Sequence, residues 1–201
     1  MIALKNVHFS YDGTLVLHGV DWQLPTSGIV CLRGASGCGK TTLLRLLAGL
    51  EQPSSGHIVG LDDKRVAVCF QEDRLLPWCT ALENVMLACG DAVRARELLC
   101  RFGLEDCLDS RPAQMSGGQQ RRVALARALS VDADLLLLDE PFTGMDAATW
   151  GLVVPTIEAF AATHTVVLVT HIAAEAQALS ADVLELNEIP LSGDLTARND
   201  G

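Results

Sequence analysis

No uninterrupted apolar stretch in this chain approaches the roughly 20 residues that a membrane span requires. Any work at a membrane would therefore leave the spanning to a partner. Basic residues are the minority: 15 Lys and Arg stand against 25 Asp and Glu, a formal net charge of −10. A surface of that sign argues against non-specific nucleic-acid binding, and no nucleic-acid partner is expected. The seven cysteines include no Cys-x-x-Cys pair and no metal-binding spacing. An odd number without such spacing reads as free thiols in a reducing compartment, buried and structural except for Cys38. Met1 to Ser10 has no basic segment followed by an apolar core, so no signal peptide is expected. Internal repeats, low-complexity tracts and an interdomain linker are also missing. What is present, 49% hydrophobic and 20% charged residues in a chain of 201, reads as one globular domain over 1–201 with a proper core.

The stretch around which the rest is organised is Gly34-Ala35-Ser36-Gly37-Cys38-Gly39-Lys40-Thr41-Thr42. It matches the phosphate-binding pattern G-x-x-x-x-G-K-[ST] at every fixed position. Ile29 to Leu32 before it is a short apolar run that reads as a buried strand. Leu43, Leu44, Leu46 and Leu47 after it recur at helical spacing until Gly49 and Pro53. Strand, glycine loop and helix together suit a phosphate. Glycines let several N–H groups turn inward, and the helix start adds its positive end. Lys40 adds a full charge, and the Thr41 hydroxyl can ligate Mg²⁺. Cys38 reads two ways: as a thiol activated by Lys40 and the helix N-terminus, or as a small hydrophobe packed inward.

Residues 2–24 read as two strands joined at Tyr11-Asp12-Gly13. Tyr11, one of few aromatics, is either a turn residue at the solvent edge or a ring able to stack on a base. Strands are expected at 57–61 and 66–70, the second ending in Gln71. From about 77 to 125 strand signal gives way to helical spacing, which reads as a helical subdomain inserted in an α/β core. Thr80 and Glu83 form a capping box at its first helix. Ser116-Gly117-Gly118-Gln119 opens another helix, with Ser116 as N-cap and two glycines baring the first N–H groups, a second anion site. Leu135 to Leu138 is apolar on both faces, as a central parallel strand must be, and delivers Asp139 and Glu140 at its carboxyl end. An acid beside Mg²⁺ and a second acid to orient water suit phosphoanhydride hydrolysis. Asp146 opens the helix 147–162. The strand 166–169 delivers Thr170 and His171; a lone histidine is more often structural, but this one ends a strand beside that of Glu140. Val183 to Leu186 is read as the last strand, and 192–201 as a frayed polar tail.

Taken together, from about Ile2 to Leu186, these residues resemble the ATP-binding subunit of an ABC transporter. Met115-Ser116-Gly117-Gly118-Gln119 resembles the signature motif, and Leu135 to Asp139 with Glu140 resembles the Walker B strand and its catalytic glutamate. Gln71 fits the Q-loop, Asp146 the D-loop, His171 the switch histidine and Tyr11 the adenine-stacking aromatic. The segment Gln71 to Trp78, with Thr80 and Glu83 to Val85, is similar to importers of the nitrate, sulfonate, taurine and thiamine-precursor type. The resemblance implies a phosphate-loop NTPase core with a mainly parallel sheet, an N-terminal antiparallel β subdomain and an inserted helical subdomain. It implies ATP and Mg²⁺ as cofactors, with Thr41, Gln71 and Asp139 on the metal and Glu140, His171 and Gln71 catalytic. Gly34 to Thr42 of one subunit would face Ser116 to Gln119 and Asp146 of another. Implied partners are a second copy or a paired ATPase subunit, an integral membrane permease received near Leu75 to Trp78, and a solute-binding protein. The location would be cytoplasmic, on the inner face of the cell membrane.

This sequence departs from the family pattern in places. Met115 stands for Leu, Thr143-Gly144-Met145-Asp146 for Ser-Ala-Leu-Asp, and Ile172 for the Asp after the histidine. The glycine is expected to loosen a dimer contact, and the isoleucine to remove a hydrogen bond. The competing reading is an ATPase of a non-import membrane complex, of division or lipoprotein-release type. A small-molecule phosphate-loop kinase is opposed by the signature, for which it has no use.

Overall fold

The computed structural model describes residues 1–186 and 190–196. The chain opens with two antiparallel strands, β1 (Ala3–Tyr11) and β2 (Thr14–Gln23). Their two-residue turn puts Asp12 and Gly13 at φ 47° and 81°, the positive values that match strand twist. Then come β3 (Gly28–Gly34), α1 (Lys40–Leu47), β4 (Ser55–Val59) and β5 (Val66–Cys69). Three helices follow: α2 (Ala81–Cys89), α3 (Ala92–Arg101) and α4 (Gly117–Ser130), with two short 3₁₀ turns before the last. The remainder alternates: β6 (Leu135–Asp139), α5 (Ala147–Ala161), β7 (Thr165–Val169), α6 (Ala173–Ala178), β8 (Asp182–Leu186) and β9 (Leu191–Asp194).

Two sheets result. One runs β4-β1-β2-β9; the other, wholly parallel, runs β5-β6-β7-β3-β8. The strand alternation explains the layering. Cys31, Leu136, Leu138, Val166 and Leu168 face one core with α2, α3, α4 and α5. Val30, Leu32, Leu135, Leu137, Val167 and Val169 face the other, with α1 and the mixed sheet. Both faces of β3, β6 and β7 are covered, which is why they read as continuous apolar runs. The α/β class with a parallel sheet, a separate antiparallel β layer and several helices is the one expected. At α2 the capping box is complete: Thr80 Oγ1 accepts from Glu83 N at 3.2 Å, and Glu83 Oε2 from Thr80 N at 2.8 Å.

The expected frayed tail is corrected from its first residues. Residues 191–194 form a strand, β9, parallel to β2, so Leu186 does not end the last strand. Leu191 and Leu195 are fully buried against the mixed sheet, and Thr196 Oγ1 accepts from Gln23 N at 2.8 Å. Two leucines among polar residues are too few for a period, yet two burials and a ready strand edge suffice to order the segment. The rest of the expected tail, 197–201, lies outside the described residues.

Candidate active site

The carboxyl ends of β3, β6 and β7 open into one cleft of about 600 Å³. It is lined by Tyr11, Val16, Gly34, Ser36, Gly37, Gly39, Lys40, Thr41, Thr42, Gln71, Asp139, Glu140, Val169 and His171. That is where ligands bind in an open parallel sheet. The loop from β3 to α1 wraps its floor, and Gly39 enters α1 at φ 101°. Gly34 is required by packing: a Cβ there would lie 2.0 Å from the Leu186 carbonyl of β8. Lys40 Nζ donates to the carbonyls of Gly34 and Ala35, each at 2.8 Å.

Of the expected loop residues, Ala35 and Cys38 do not line the cleft. The Cys38 side chain turns inward, 1% exposed, among the leucines of α1, with its Sγ 3.6 Å from Lys40 Nζ. The inward packing holds because the turn at Gly37 and Gly39 sends the intervening side chain into the core.

The acids lie opposite the loop. Asp139 is 4% exposed, and its Oδ2 accepts from Thr41 Oγ1 at 3.2 Å. Burial pushes its carboxyl above the usual range, with the Thr41 hydrogen bond opposing. Glu140 turns the chain out of β6 at φ 48°, a left-handed value costly for a residue with a Cβ. Its N–H donates to Val169 O at 2.8 Å, and its carboxylate stands between two donors. Gln71 Nε2 donates to Oε2 at 3.4 Å, and His171 Nδ1 lies 3.1 Å from Oε1. Facing an acceptor-only carboxylate, Nδ1 is the ring nitrogen assigned the proton. Gln71, Glu140 and His171, from three separate strand ends, are thus one cluster. Tyr11 is 38% exposed at the rim and packs edge-on to Phe9, centroids 4.7 Å apart.

The remaining expected residues lie elsewhere. Ser116, Gly117, Gly118 and Gln119 form the start of α4, and none lines the cleft. Ser116 Oγ accepts from Gln119 N at 3.3 Å while Gln119 Oε1 accepts from Ser116 N at 2.8 Å, a second capping box. A Cβ on Gly118 would lie 2.8 Å from Gly144 O, so this end of α4 abuts the turn before α5. Asp146 caps α5, accepting from Thr149 N at 2.8 Å, and hydrogen bonding to Thr149 holds its carboxyl below the usual range.

Sequence reasoning missed Arg121 and Glu175. Both are buried, 2% exposed, and both hold main or side chains next to the cluster. Arg121 sits in Gln-Gln-Arg-Arg, which reads as a solvated helix face, and no local pattern marks which arginine turns inward.

A glycine loop facing two acids across the end of a parallel sheet has its use in phosphoryl chemistry. The class that this fold and cleft define is the phosphate-loop nucleoside triphosphatase. Within it, the chain belongs to the ABC transporter family, whose profile matches residues 17–143, and is the ATP-binding, ATP-hydrolysing subunit. It is 43% identical over 206 residues to an aliphatic sulfonates import ATP-binding protein, SsuB, of Rhodopseudomonas palustris strain BisA53, covering 96% of this chain and 73% of that one. It is 42% identical over 204 residues to the protein of the same name from Pseudomonas fluorescens strain Pf0-1, covering 96% and 76%. Among solved structures, it matches the ATP-binding cassette MJ0796 in a dimeric post-hydrolysis state bound to ADP and Pi. That match has TM-score 0.83 and 28% identity, over 96% of both chains. A second dimeric structure of that bacterial ABC transporter cassette gives TM-score 0.84 and 31% identity, over 93% and 94%.

Proposed function

We propose that two copies of this chain, or this chain and a paired ATPase subunit, close head to tail around two ATP molecules and drive solute import through a separate integral membrane permease. The observation that carries the reading is the division of the expected site residues. Tyr11, the loop, Gln71, Asp139, Glu140 and His171 meet in one cleft, while Ser116 to Gln119 and Asp146 lie outside it. A second subunit supplies that missing wall. The dimeric MJ0796 structures support the pairing. The relatives named for aliphatic sulfonates import support uptake over release or division roles, and a small sulfonate-like oxyanion as the solute class. Delivery by a solute-binding protein, and a position on the inner membrane face, follow from that reading. Among the described residues no helix is long and apolar enough to cross a membrane, so the permease does the spanning.

Thr41 Oγ1 and Asp139 Oδ2, 3.2 Å apart, are hard oxygen donors that would hold Mg²⁺, and the amide oxygen of Gln71, which lines the same cleft, would add a third. When bound, the ion would offset charge on the phosphate oxygens. The loop N–H groups and Lys40 hold the phosphates, and Tyr11 stacks on the base. Glu140, held between Gln71 and His171, orients or deprotonates the attacking water, and His171 contacts the γ-phosphate. Each contribution is positioning and electrostatics, which is most of what phosphoryl transfer asks of a protein. The Glu140→Gln protein is expected to bind ATP, to lose nearly all hydrolysis and to elute as a dimer in Mg-ATP on size-exclusion chromatography. A variant that stays monomeric and hydrolyses at the wild-type rate would refute the role.

A further inference from the structure

Arg121 has no part in the chemistry above, yet its side chain touches both segments that carry it. From within α4, its buried guanidinium donates through Nε to Pro141 O at 3.1 Å. Nη2 donates to Asp139 O and Glu140 O, at 2.5 and 2.9 Å. Nη1 donates to Phe70 O, Gln71 O and Asp73 Oδ1, at 2.5, 3.3 and 3.0 Å. Three consecutive carbonyls, from the end of β6 into the turn after it, thus converge on one edge of the guanidinium. The chain end of β5 converges on another.

That turn needs an outside anchor. Glu140 holds φ 48° with a side chain, and it precedes Pro141, which disfavours helical backbone before it and brings no N–H of its own. The carboxylate whose direction matters therefore sits on strained backbone. Its side-chain contact with Gln71 is long, 3.4 Å, so it depends on how the two main chains are spaced. A planar fork with five donors can set that spacing; a lysine ammonium cannot reach both segments with comparable geometry. Arg127, on the same helix, binds Asp73 O and Arg74 O at 2.7 and 2.8 Å, so α4 grips the loop after β5 twice. The N-cap of the same helix, Ser116, lies five residues and about 7.5 Å of rise before Arg121.

We propose that Arg121 is a positioning residue for hydrolysis. It sets the Gln71–Glu140 spacing and ties it to α4, so that engagement of the Ser116 end by the partner's nucleotide moves the backbone under Glu140. The proposal rests on the reading of Glu140 given above. Full-length Arg121→Lys is expected to keep its fold by circular dichroism and to bind a fluorescent ATP analogue within about threefold of wild type, while kcat falls roughly tenfold or more. In a Glu140→Gln background, the same substitution is expected to lower the residual single-turnover rate by less than about twofold, because the group it acts through is gone.

A folded Arg121→Lys protein with wild-type kcat overturns the proposal, as does a loss that simply adds to that of Glu140→Gln. If Arg121→Lys does not fold, Asp73→Asn carries the test. It removes the charge of one partner at the solvent side, weakening its hydrogen bond with Arg121, and is expected to lower kcat about threefold with KM unchanged; an unchanged kcat there is the negative result. Failure of the underlying reading looks different. Wild-type protein that releases no phosphate, or Glu140→Gln as active as wild type, removes the role of Glu140 and the proposal with it.

Discussion

Cys38 shows how little room a single side chain has inside the phosphate loop. Its neighbours in sequence point to a charged, reactive environment, but the loop has two sides. Gly34, Ser36, Gly37, Gly39 and Lys40 line the cleft side, and the Cys38 side chain goes to the other, against α1 and the mixed sheet. A thiol that is 1% exposed is shielded from reagents even with an ammonium 3.6 Å away. Brief maleimide labelling of native protein is therefore expected to modify exposed Cys100 first and to leave Cys38 untouched, with or without Mg-ATP. Mass spectrometry of the labelled peptides reads this directly. Rapid Cys38 modification that ATP prevents would mean that the loop opens in solution.

At the scale of elements, the join between β7 and α6 carries His171. Thr170 Oγ1 donates to Glu175 Oε2 at 2.5 Å and accepts from Ile172 N at 3.0 Å. The last strand residue, the histidine turn and a six-residue helix are thereby fastened by one hydroxyl and one buried carboxyl. The N–H of Ile172, the residue found where the family has Asp, is bonded within this join. Burial pushes the Glu175 carboxyl up, and the Thr170 hydrogen bond opposes it only in part. The folded protein thus holds this proton more tightly than the unfolded chain. Its contribution to stability is full below the ordinary glutamate value of about 4.3, and is lost as the pH rises through the raised folded value. Glu175→Gln removes that dependence. The melting temperature of the variant minus that of wild type is expected to shift in the variant's favour between about pH 4 and about pH 8. A difference that stays flat, or moves the other way, in thermal melts would show that Glu175 titrates normally.

At the scale of the molecule, the proposed pairing would give each copy half of two sites. The helix start at Ser116 presents two glycines whose N–H groups have no side-chain cap, and it does not line its own cleft. Ser116→Arg is expected to cost about 1 kcal/mol of cap stability. It should bind ATP with near-wild-type affinity as a monomer, and fail to hydrolyse it. Mixed with Lys40→Ala protein, it is expected to recover at most one of the two sites in a phosphate-release assay. Loss of ATP affinity in the isolated monomer would count against a site shared between subunits.

Much of this was legible from contiguous residues. The loop from Gly34 to Thr42, the apolar strands 29–32, 135–138 and 166–169, and the acids after Leu138 could be located because a motif fixes local backbone and a buried parallel strand has a plain signature. The sequence by itself thus determined the fold class, the phosphate loop and which strand ends face it. It could not determine what depends on two distant segments sharing a volume. The pairing of β9 with β2 arises from contacts far apart in the chain, and the inward turn of Cys38 from the side of a loop; the contact of Glu175 with Thr170 is only five residues long, but the burial of that carboxyl comes from the packing around it. So does the choice of Arg121, rather than Arg122, to stand under Glu140. Helical spacing offers both arginines to solvent or core alike; only the carbonyls of 70–71 and 139–141, brought together by neighbouring parallel strands, decide which one is held.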